Sequence, residues 1–194
     1  MFPEIETARL TLRLARPGME NAMAGFLARN YHGHLDRWSP PLPEEIFTAA
    51  FWSERLAMAE DELAADRAVR FVLQPRGDAT APIIGTANYT NIIRGAFHAC
   101  HLGYQIGREQ QGQGLMSEAL RAGNAFMFES MRLHRIMANF RPENLRSRQL
   151  AQRLGFVEEG IARHYLFIDG AWRDHVLTSL VNPAYDDAWV ASAR

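Results

Sequence analysis

At 194 residues the chain is long enough for a single domain, residues 1–194, with a core of its own, and 47% apolar residues is ordinary for a globular protein. No run of about 18 apolar residues offers a membrane-spanning helix, and the start Met1-Phe2-Pro3-Glu4-Ile5-Glu6 lacks the basic and apolar regions of a secretory signal. A net charge of −1 leaves no global basic footprint for nucleic acid, and the single cysteine, Cys100, excludes an internal disulfide framework and fits a reducing cytoplasm.

In chain order, Leu10, Leu12 and Leu14 alternate with Thr11 and Arg13, the period of a strand with one face buried. Pro17-Gly18 ends it, and a helix follows to about Asn30. Residues 31–43 hold two histidines flanking Gly33, Trp38 and three prolines, which predicts an irregular loop. Phe47, Phe51 and Met58 at helical spacing predict a second helix over about 46–65, acidic toward its end at Glu60-Asp61-Glu62. Three strands are expected next, over 69–74, 82–93 and 97–106, with the turn Gly77-Asp78 after the first. A long apolar-periodic helix is expected over 115–131, a short strand over 135–140, and a helix over 144–154 closed by Gly155. Two strands joined at Asp169-Gly170, a two-residue hairpin signal, finish the chain. The order is strand, two helices, three strands, helix, strand, helix, two strands, which is mixed α/β with a largely antiparallel sheet.

The most informative stretch is Gln111-Gly112-Gln113-Gly114-Leu115-Met116, between a strand and the long helix. Glycines there let backbone N–H groups converge on one point, and the helix N-terminus adds partial positive charge, so the loop reads as a phosphate cradle. A nucleotide P-loop needs Lys and Ser/Thr after the last glycine, where Leu115 and Met116 stand. A dinucleotide fingerprint needs a third glycine where Ser117 stands. His98, Cys100 and His101 alternate across a strand with no second ligand cluster, so no metal is expected.

These features resemble the GCN5-related N-acetyltransferases, the GNAT superfamily. Gln111, Gly114 and Met116 fall on its loop pattern at the start of the central helix, with Met116 in place of a small residue. Asn144, Ser147, Leu150, Leu154, Gly155 and Phe156 match its second helix, and the hairpin closes the set. The stretches Thr7-Ala8-Arg9-Leu10-Thr11-Leu12-Arg13, Leu102-Gly103-Tyr104 and Asp169-Gly170-Ala171-Trp172-Arg173-Asp174-His175 are similar to the subgroup that acetylates the N-terminal alanine of a small-subunit ribosomal protein.

The resemblance implies acetyl-CoA as cosubstrate, no metal, and direct attack by an amine in a ternary complex. It implies that Gln111, Gly112, Gln113, Gly114, Leu115 and Met116 hold the pyrophosphate. Tyr104, Gln105 and Ile106, on a strand that splays from its neighbour, would face the pantetheine, and Asn144 would lie near the cofactor. Many relatives place a tyrosine acid where Ala151 stands, so Ser147, one turn earlier, is the substitute candidate. His101 stands at about the position of the usual glutamate base, and Asp174 would contact the acceptor ammonium. The implied partner is a ribosomal-protein N-terminus, with ribosome assembly intermediates as a further partner class. Two rival readings stay open: an acetyltransferase for a small-molecule amine, and a CoA-binding assembly or regulatory factor without catalysis. The base, the acid and the oligomeric state, monomer or homodimer, are open as well.

Overall fold

A computed structural model describes residues 3–78 and 80–188. The strands are β1 (Glu4–Glu6), β2 (Leu10–Leu14), β3 (Val69–Pro75), β4 (Gly85–Ile93), β5 (Ala99–Ile106), β6 (Arg135–Met137), β7 (Val157–Ile168) and β8 (Ala171–Val181). The helices are α1 (Glu20–Asn30), α2 (Ala49–Ala64), α3 (Leu115–Glu129) and α4 (Leu145–Arg153). The strands form one sheet in the order β1-β2-β3-β4-β5-β6-β8-β7, antiparallel throughout except for β5 against β6.

Strand alternation sorts the core. Leu10, Leu12 and Leu14 of β2 join Phe71, Leu73, Tyr89 and Leu102 on the sheet face covered by Leu120 and Met127 of α3 and Ala151 of α4. Val72, of opposite parity on β3, faces the second core with Phe26 and Leu27 of α1 and Leu56 of α2. Each fully buried leucine contributes about 1.5–3 kcal/mol. Arg13 points to the second face, 8% exposed, and is held by Gln74 Oε1 at 2.8 Å and Glu4 Oε1 at 3.1 Å. Burial without those acceptors would strand a charge.

The elements follow the sequence with three differences. Glu4–Glu6 is a strand that the sequence does not announce, because three residues are too few to display a period. The helix expected over 46–65 is two pieces: a 3-10 turn, Glu44–Phe47, breaks at Thr48, whose extended backbone and hydroxyl cap α2 by accepting from Phe51 N at 3.4 Å. The loop before it, 31–38, is a series of helical turns interrupted at Gly33, where φ is +68°. The expected end of α4 is present in detail. Gly155 adopts φ +87°, its N–H donates to the Gln152 carbonyl at 3.1 Å, and Phe156 N–H donates to Ala151 O at 3.0 Å, the paired bonds of a Schellman cap.

Candidate active site

The site starts with an unfinished ladder. β5 and β6 pair only from Ala99 with Arg135 to His101 with Met137. Beyond that, β5 runs on to Ile106 beside β4, while β6 ends and the chain turns into the segment that leads to α4. Leu102, Gly103, Tyr104, Gln105 and Ile106 therefore line a cleft of about 1040 Å³, with Asn139, Phe140, Asn144, Ser147 and His175 on the opposite bank. A strand edge without a neighbour offers backbone donors and acceptors to an extended ligand.

The glycine loop closes one end. Gly112 and Gly114 sit at φ +74° and +76°, a left-handed conformation that side chains rarely adopt. Gly114 caps α3 without a side-chain bond, and Glu118 N–H donates to its carbonyl at 3.1 Å. The amides of Leu115, Met116 and Ser117 thus precede the helical bonding pattern and border the cleft. Met116, where a small residue is usual, does not crowd the loop: its side chain is 7% exposed and packs into the main core. Gln111 Oε1 accepts from Arg146 of α4, and the loop is also pinned from the α1 side, where Arg108 N–H donates to Asn30 Oδ1 at 2.9 Å.

Five arginines line the cleft, Arg37, Arg108, Arg141, Arg146 and Arg153, against one carboxylate, Glu143, which Arg141 binds. The overall charge of −1 hides this local excess, which suits a ligand carrying several phosphates. These residues come from four separate segments, so no stretch of sequence displays them. Arg37 and Ser39 also border a second cavity of about 380 Å³, rimmed by Asp36 and Asp169.

On the α4 bank, Asn144 accepts from Ser147 N–H at 3.1 Å and caps the helix. Burial raises the pKa of the Tyr104 phenol, and the nearby Ser147 hydroxyl works against that rise, with Tyr104 and Ser147 both lining the cleft. His175 is 3% exposed, and its Nδ1 lies 3.1 Å from the Arg173 carbonyl. That bond places the proton on Nδ1 and leaves Nε2 as the basic nitrogen. Burial lowers the imidazole pKa, and the Arg173 bond only partly offsets it, which keeps His175 neutral. Sequence reasoning passed over this residue; its signal was the Asp174-His175 pair on the closing strand.

Ten of the residues expected at the site line the cleft: Tyr104, Gln105, Ile106, Gln111, Gly112, Gly114, Leu115, Met116, Asn144 and Ser147. Three do not. Gln113 turns its amide to the Glu109 carbonyl at 2.7 Å. His101 lies among the paired residues of β5, off the cleft lining, with a buried Nδ1 and a pKa lowered by burial. Asp174 accepts from His164 N–H at 2.9 Å and Arg163 Nη1 at 2.7 Å, and these bonds hold its carboxyl below the usual range.

Comparison with known proteins gives the arrangement its context. Residues 9–157 match the acetyltransferase (GNAT) domain. The chain is 44% identical over 179 residues to the [ribosomal protein uS5]-alanine N-acetyltransferase of Escherichia coli, covering 92% of this chain and 91% of that one. Among solved structures, the ribosomal-protein-S5-alanine acetyltransferase of Vibrio fischeri superposes with a TM-score of 0.89 at 38% identity, over 95% of this chain and 99% of that chain. The Mycobacterium smegmatis RimJ in complex with CoA-disulfide superposes at 0.84 and 27% identity, over 99% and 93%. With a glycine loop at the head of α3, a sheet parted at β5 and β6, and a domain match spanning both, the chain belongs to the GNAT acetyltransferase family.

Proposed function

We propose that the chain transfers the acetyl group of acetyl-CoA to the N-terminal α-amino group of ribosomal protein uS5, with alanine in first place. The observation that carries this reading is the 44% identity maintained over 92% of the chain, a span that includes both banks of the cleft. The five cleft arginines and the amides at the head of α3 suit the phosphates, and the free edge of β5 suits the pantetheine amides. The amine nitrogen attacks the thioester carbonyl carbon, the C–S bond breaks, and the acetyl group remains on nitrogen. The amine proton passes to His175 Nε2; His175 belongs to the cleft lining and His101 does not. An α-amino group titrates near ~7.7–8.0, so the base has modest work. The departing sulfur takes its proton through the Ser147 hydroxyl, which is replenished from the Tyr104 phenol and in turn from solvent so that no alkoxide is left; a thiolate whose thiol titrates near ~8.5 needs little help to leave. With a ribosomal protein as acceptor, the reaction belongs in the cytoplasm.

The test is thiol release from acetyl-CoA with a panel of alanine-starting and serine-starting peptides, including the uS5 N-terminal sequence, and simple amino sugars. Release with the uS5 peptide well above the others is expected. Release with amino sugars alone selects the small-molecule reading. CoA binding without turnover on any acceptor selects the non-catalytic factor.

A further inference from the structure

We propose that Arg9 is a positioning residue for donor binding: from outside the cleft it orients the amide of Gly114 and screens the charge of Glu118 behind the phosphate site. The inference rests on the reading that this loop takes the pyrophosphate of acetyl-CoA. Arg9 lies 109 residues before Glu118 in the chain, yet its Nε donates to Glu118 Oε2 at 2.7 Å and its backbone N–H to Oε1 at 2.7 Å. Thr7 Oγ1 adds a third bond to Oε1 at 2.6 Å. The same guanidinium sends Nη1 to the Gln113 carbonyl at 2.9 Å.

The last bond fixes a direction. In a planar trans peptide the carbonyl and the following N–H point opposite ways. Arg9 holds the Gln113 carbonyl outward, and Gln113 does not line the cleft, so the Gly114 N–H is turned to the side that does. Glycine at 114 makes this brace necessary, because its φ of +76° sits in a landscape without a Cβ to lock the peptide plane.

The other bonds address charge. Glu118 lies in the first turn of α3, next to amides that face an anion, where a bare carboxylate would oppose phosphate. Burial pushes its pKa up, but the bonds from Thr7 and Arg9 outweigh that and hold it ionised below the ordinary range. The carboxylate is therefore a permanent charge, and Arg9 is the cation that offsets it.

The test compares two ligands. Pantetheine lacks the pyrophosphate and adenosine of CoA but uses the same β5 edge. In R9Q, the Kd for CoA should rise about tenfold by calorimetry, the size of one lost charge-assisted bond. The inhibition constant of pantetheine against acetyl-CoA should stay unchanged, and kcat at saturating acetyl-CoA should stay within about twofold. The double variant R9Q/E118Q removes the unscreened charge and should recover part of the CoA affinity, leaving the orientation loss. Arg9 is 51% exposed at its side chain, so the substitution opens no core cavity. Equal weakening of CoA and pantetheine, or a kcat loss at unchanged CoA affinity, overturns the inference while leaving the family reading intact. A parent protein that binds no CoA overturns the site itself.

Discussion

Replacing Gly123 with alanine tests how tightly α3 is set against the sheet. A Cβ built at Gly123 falls 2.5 Å from Tyr89 Oη and 3.2 Å from two ring carbons of the same side chain. Tyr89 has no way to retreat: it is fully buried, its hydroxyl donates to Asn124 Oδ1 at 2.8 Å, and its ring stands edge-on to Phe71 at 6.4 Å. Overpacking of this kind costs about 1–3 kcal/mol, and displacing the hydroxyl loses a buried hydrogen bond of about 1 kcal/mol. Alanine returns about 1 kcal/mol of helix propensity. The net is a destabilisation of about 1–3 kcal/mol, or a Tm lowered by about 3–10 °C for a chain of this size. Thermal unfolding followed by circular dichroism reads it directly. The Tyr89→Phe background supplies the control, since it removes the atom in closest contact. Alone, that change leaves the Asn124 carbonyl oxygen unpaired and costs about 1–3 kcal/mol. Together the two substitutions should be less damaging than their sum by about 1 kcal/mol. A Gly123→Ala protein with unchanged or raised Tm, or strict additivity with Tyr89→Phe, would refute the reasoning.

Other outcomes follow from the same geometry. Ser147→Ala should lower kcat about 10²-fold with little change in the KM for acetyl-CoA, measured by thiol release, as expected for a proton donor used only in the transition state. His175→Gln should lower kcat/KM and remove the enzyme's own step from the acid side of the pH profile, leaving the step of the acceptor α-amino group near ~7.7–8.0. In the parent, the step that belongs to His175 should lie below the ordinary histidine value of 6.5, because burial depresses the pKa and the neutral base persists until pH falls through it. Burial depresses His98 and His101 in the same direction, so the unfolded chain binds protons near 6.5 that the folded chain refuses. The stability present above that pH should be lost as pH falls through the lower folded-state values, a drop seen as a lower urea midpoint at pH about 5.5 than at about 7.5. Cys100 is fully buried and its thiol is pushed up to about 12, so a thiol reagent at pH about 8 should titrate it only after denaturation.

The sequence displays whatever repeats locally. The leucines of β2 show a period of two, the apolar face of α3 a period near 3.6, and Gly155 and Asp169-Gly170 mark where α4 and β7 must stop. The glycine loop is legible for the same reason, since Gln111 to Met116 are consecutive in the chain. What depends on distant partners is not. The five cleft arginines are dispersed over more than half the chain. His175 becomes a candidate base only when β8 brings it to the cleft, and a carbonyl two residues earlier fixes its tautomer. Asp174, read as an acceptor contact, spends its oxygens on His164 and Arg163, a pairing set by a bulged register between β7 and β8 that composition does not reveal.

The short pairing of β5 with β6 has a mechanical meaning. Everything up to α3, with the glycine loop and the β5 edge, forms one leaf of the molecule, and everything from β6 onward, with Ser147 and His175, forms the other. The cleft is therefore shared between the leaves, with Arg37 and Arg108 on the first and Arg141, Arg146 and Arg153 on the second, and the sheet itself joins them at three residue pairs centred on Cys100 and Ile136. That seam works like the rivet of a pair of pliers. A change in side-chain volume there would open or close the jaws and alter the spacing between the glycine loop on one leaf and the α4 bank on the other.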